Sequence, residues 1–75
     1  MMHPAITGIL RWFEYDHLTH YPARLVAKEF YTLAHNLAAD LPSDPEKIVA
    51  LRHLLDSKTA SVLAVLSAEP SVVGD

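Results

Sequence analysis

"LAADLPSDPEKIVALRHLL", residues 37–55, contains the turn on which the fold depends. Ser43-Asp44-Pro45-Glu46 matches the S-x-x-E spacing of a capping box. Ser43 is expected to accept from the Glu46 N–H while the Glu46 carboxylate reaches back to the Ser43 N–H. Asp44 and Glu46 would then sit at the positive end of a helix dipole. Downstream, Ile48, Leu51, Leu55, Val62 and Leu66 recur at helical spacing until "SAEP" ends the pattern before Pro70. Upstream, from Pro22 to Asp40, Val26, Phe30, Leu33, Leu37 and Leu41 recur at three- and four-residue steps, and Pro22 suits a first helical turn. A link as short as "LPSDP" makes the two helices antiparallel neighbours.

Residues 5–13 form a weaker apolar segment, read as a short helix interrupted at Gly8. The expected fold is all-α: a short N-terminal helix, then an antiparallel two-helix hairpin, in a domain spanning 1–67, with 68–75 as a flexible tail. Val49, Ala60 and Leu63 lie off the main stripe of the second long helix, which is therefore apolar nearly all round and needs burial on more than one side. In 75 residues only another copy of the chain can supply that second layer, so the fold is expected to be completed by homo-oligomerisation.

Composition narrows the function. No cysteine is present, which removes disulfides and thiolate metal sites. A net charge of −3 argues against duplex nucleic acid as a partner, since that surface calls for a basic face. The N-terminal "AITGIL" is too short to span a bilayer and lacks the basic flank of a signal peptide, so a cytoplasmic protein without a membrane partner is expected. No nucleophile–base spacing and no phosphate-cradling glycine loop occurs, and an enzyme is not expected. His17 and His20 are three apart but lack a convergent partner set, and neither metal nor cofactor is expected.

All six aromatic residues fall between positions 11 and 37. At about 100° per residue the first long helix brings Arg24, Lys28, Tyr31 and His35 to one face, opposite the expected core stripe. Such a face is either solvated or an anion site, with Lys28 as a point charge and Arg24 as a bidentate fork. Trp12 reads as core. Phe13 and Tyr15 are open between core packing and stacking on a planar ligand. Lys58 stands in the middle of the apolar stripe of the second long helix; it is expected to snorkel to a rim or to meet a carboxylate or bound anion at a subunit interface.

The N-terminal "HP", an aromatic before the turn, the lysine of "VAKEF" and the closing "LPSDPEK" resemble the small phage anti-CBASS sponge proteins, whose hairpin domain is shared with some anti-Thoeris sponges. The resemblance covers about residues 3–66. It implies a homo-hexamer that binds cyclic dinucleotides in pockets between protomers and sequesters them uncleaved, blocking immune signalling in the host cytoplasm. It also implies a stacking aromatic and, fifteen residues on, a phosphate-holding lysine, a spacing matched by Phe13 and Lys28, with Tyr15 as the competing ring. Where the family tends to carry an arginine for a separate cyclic-trinucleotide pocket, this chain has Leu63 and Leu66, which puts that pocket in doubt. The candidate ligand set is thus Phe13, Tyr15, Arg24, Lys28, Tyr31 and Lys58. The alternative is a small helical protein–protein interaction module with no nucleotide ligand.

Overall fold

A computed structural model describes residues 3–68. They form three α-helices, α1 (Pro4–Leu10), α2 (Tyr21–Asp40) and α3 (Pro45–Ala68), with a 3-10 turn (Arg11–Phe13) continuing α1. No strand occurs among the described residues. The expected tail lies, from residue 69 onward, outside them.

Each helix start has a physical cause, and two of the three caps are histidines. The Ala5 N–H donates to Nδ1 of His3 at 3.0 Å, and the Ala23 N–H to Nδ1 of His20 at 3.2 Å. Each imidazole takes up one of the N–H groups that a helix leaves without an internal partner, and in each case proline opens the helix. At α3 the cap is Asp44, not Ser43: its Oδ1 accepts from the Glu46 N–H at 2.8 Å. Helical geometry begins at Pro45, so the acceptor that reaches the second helical N–H must sit at residue 44, and the S-x-x-E frame is one residue out of register. At the other end of the loop the Lys47 ammonium donates to the Leu41 carbonyl at 3.2 Å, meeting the negative end of α2. Gly8 does not interrupt α1, which runs through it; a Cβ there would meet nothing within 4 Å.

Helices α2 and α3, joined by residues 41–44, pack along one another, and α1 with its 3-10 turn lies across both. The seam between the long helices differs from the expected one. On α2 the buried residues are Ala23, Ala27, Ala34 and Ala38, while Val26, Phe30, Leu37 and Leu41 are half-buried and Leu33 is 45% exposed. Alanines let the backbones approach closely, so the long side chains of α2 flank the contact instead of filling it. On α3 Leu51 is fully buried, Ile48, Leu55 and Val62 are half-buried, and Leu66 is exposed.

The N-terminal segment fills the remaining space above the loop-side half of the hairpin. Ile6, Ile9, Leu10 and Phe13 pack with Ala34, Ala38 and Leu51 in one cluster. The spacing 6, 9, 10, 13 is one face of a helix. It puts Phe13 inside, at 0% exposure, and turns Trp12 outward at 70%, the reverse of the expectation that Trp12 would be the core ring.

Candidate ligand-binding face

Four side chains from two segments line up beside α2. Tyr15, in the stretch between the 3-10 turn and α2, meets Tyr31 edge to face at 5.3 Å between ring centres, and Tyr31 meets the His35 ring at 4.3 Å. The Arg24 guanidinium lies 5.6 Å from the centre of the Tyr15 ring and 3.7 Å from the Asp16 carboxylate, an exposed pair. Tyr31 and His35 are one helical step apart on α2, and the chain leaving Phe13 brings Tyr15 against that step. The result is a ladder of rings, Tyr15–Tyr31–His35, with a cation at one end. Tyr15 and Tyr31 are half-buried, Arg24 and His35 exposed. The guanidinium, loosely held by Asp16, can exchange that exposed partner for a phosphate fork at small cost.

The other candidates separate from this line. Phe13 is wholly enclosed by the core cluster and presents no ring face to a ligand, because the turn after α1 aims it at Leu51 and the alanines. Lys28 is exposed on α2, on the same side of the helix as Arg24, Tyr31 and His35, but it borders a shallow groove with Leu25, Glu29, Thr32, Leu33 and Asn36 and touches none of the rings. Arg24 and Tyr31 thus meet through Tyr15, and Lys28 does not join them by contact.

Lys58 has a structural task. It is 8% exposed, and its ammonium donates to the carbonyl oxygens of Trp12 at 2.6 Å and Glu14 at 3.3 Å. Those carbonyls close the C-terminal side of the 3-10 turn, where backbone acceptors lack helical partners and the dipole is negative. The lysine therefore neither reaches the rim nor meets a carboxylate; it pins the end of the N-terminal segment to α3, 6.0 Å from the centre of the Phe13 ring. Burial pushes its pKa below the ordinary value of 10.5, because an ammonium in a low-dielectric site loses hydration. The sequence signal for this role was a lysine in an apolar stripe, and what it could not show was which acceptors would be waiting.

Among the described residues no group of three or more His, Cys, Asp or Glu is placed to hold a metal ion, and no helix is long and apolar enough to cross a membrane. Comparison of the chain with protein-family models, with curated proteins and with solved structures finds no match.

Proposed function

We propose that the protein is a phage anti-defence sponge: it binds cyclic dinucleotides in the host cytoplasm between copies of itself, most simply in a homo-hexamer, and sequesters them uncleaved. The observation that carries this reading is the ring ladder with Arg24 over Tyr15. A cyclic dinucleotide is flat at its bases and twice negative at its phosphates, and a stacking ring beside a guanidinium answers both features. With Phe13 buried, Tyr15 takes the stacking role, and Arg24 replaces Lys28 as the nearest phosphate fork; Lys28 is left to act from the edge of the site. Stacking contributes about 1–3 kcal/mol per base, and a symmetric interface would present the ladder twice to a ligand that is itself two-fold. Sequestration needs no chemistry on the ligand.

Calorimetric titration with a panel of cyclic dinucleotides tests the reading. Submicromolar binding is expected, with the ligand recovered intact, and Arg24→Gln and Tyr15→Ala should each weaken it by roughly tenfold or more with the helix content and oligomeric state unchanged. No heat from any member of the panel, in folded protein, would overturn it. A second reading, a helical module that binds another protein, is favoured by the exposed Leu25, Leu33, Leu63 and Leu66. It requires that Arg24, Tyr15 and Lys28 be replaceable without effect.

A further inference from the structure

On the opposite side of the N-terminal segment from the ring ladder, Trp12 stands out from the surface with half of the chain's cations around it. Arg11, Glu14, His17, Lys58 and Thr59 line a cleft of about 410 Å³ with Trp12 between the 3-10 turn and α3. On its other side Trp12 shares a second cleft, also about 410 Å³, with Leu55 and Arg52. Arg11, Arg52 and Lys58 are three of the six Lys and Arg residues of the sequence, gathered at one indole in a chain of net charge −3. Glu14 is the one carboxylate in the two linings.

Three features of this face fit one kind of ligand. The indole is the strongest stacking and cation-attracting ring among side chains, and here its faces are not used in packing the core. Arg11 and Arg52 are exposed and engage no carboxylate among the described residues, so their forks are available to an oxyanion. Lys58 is a buried cation whose two contacts, the carbonyls of Trp12 and Glu14, are neutral. An ammonium has three N–H groups, so one remains beyond those two bonds to meet a negative group in the cleft.

We propose that the Trp12 face is a binding site for a small planar ring carrying a phosphate, the ring stacked on Trp12 and the phosphate held by Arg11 at the mouth of the Lys58 cleft, with Arg52 adding positive charge from the cleft on the other side of the indole. The site shares no residue with the Tyr15–Tyr31–His35 ladder and stands whether or not that ladder binds cyclic dinucleotides.

Trp12 is the sole tryptophan, so its fluorescence reports on the site directly. The full chain is titrated with adenosine 5′-monophosphate, with adenosine and inorganic phosphate as separate controls. Saturable quenching by the monophosphate is expected, at least tenfold tighter than by adenosine, since a charge-assisted phosphate contact is lost in the nucleoside. The double variant Arg11→Gln/Arg52→Gln, at two exposed positions that leave the fold intact, should weaken it by a similar factor, while Tyr15→Ala leaves it unchanged. A short single-stranded oligonucleotide that quenches at lower concentration than the monophosphate would identify a strand, and not a free nucleotide, as the source of the same chemistry. Unsaturable quenching, equal affinity for adenosine, or an arginine double variant indistinguishable from the original would each overturn the proposal.

Discussion

At the scale of single residues, Lys58 shows how a position that looks anomalous in an apolar stripe is explained by backbone chemistry. Its two acceptors are main-chain carbonyls, 46 and 44 residues away in sequence, and replacing it by methionine would keep the volume but leave both oxygens without their donor. Lys58→Met is therefore expected to destabilise the protein by about 1–3 kcal/mol, read as a lower denaturant midpoint at unchanged slope. The effect has a pH signature. With the folded-state pKa pushed below 10.5 by desolvation, the unfolded chain holds a proton that the folded chain has released in the window between the two values. Stability contributed by Lys58 thus rises with pH through that window, and the neutral amine still has N–H groups for both carbonyls. The gap in stability between the original protein and Lys58→Met should widen as pH climbs toward 10.5; a gap that narrows would mean the ammonium is better solvated than its burial implies.

At the scale of elements, the helices are governed by their ends and by one seam. His20 opens α2 through its Nδ1, so His20→Ala should cost about 0.5–2 kcal/mol. His20→Asn, which offers an acceptor of similar reach, should recover most of that in thermal melts. The seam makes a sharper prediction. Ala34 is fully buried at the junction of α1, α2 and α3, and Ala34→Leu would force the helices apart at a cost of about 1–3 kcal/mol. By contrast Leu33→Ala, at the neighbouring exposed position, should stay within about 0.5 kcal/mol in the isolated protomer. The hydrophobic scale of the sequence points the other way, so the pair separates packing from hydrophobicity.

At the scale of the whole molecule, the chain is long and thin, 49 × 20 × 16 Å, and among the described residues only Phe13 and Leu51 of the larger side chains are fully enclosed. That is a small core for a chain that is 51% hydrophobic. Much of the balance is on the surface as Leu25 and Leu33 on α2 and Val49, Leu63 and Leu66 on α3, with Leu63 at 57% exposure. Exposed apolar area of this kind is what association removes from water. If the assembly under our proposal uses these residues, Leu33→Glu/Leu63→Glu should shift sedimentation toward the monomer while helicity persists. An unchanged sedimentation coefficient would place the contact elsewhere.

Sequence by itself determined the helical class, the two long helices and the turn between them, because these depend on local quantities: three- and four-residue periodicity, prolines at helix starts, and a polar break. It also singled out Lys58 and the stretch of aromatics. Tertiary structure decided what those residues do. Phe13 and Trp12 are adjacent, and which of the two is buried turns on a rotation of one residue about the end of α1, which the 6, 9, 10, 13 spacing encodes. The alanine seam was hidden because hydrophobic periodicity ranks leucine above alanine, whereas close helix approach selects the smaller side chain. The cap at Asp44 differed from Ser43 by one residue of register, set by where Pro45 begins the helix. The ring ladder and the cations around Trp12 join residues from different elements, and only the packing of α1 and its 3-10 turn across α2 and α3 brings them within reach.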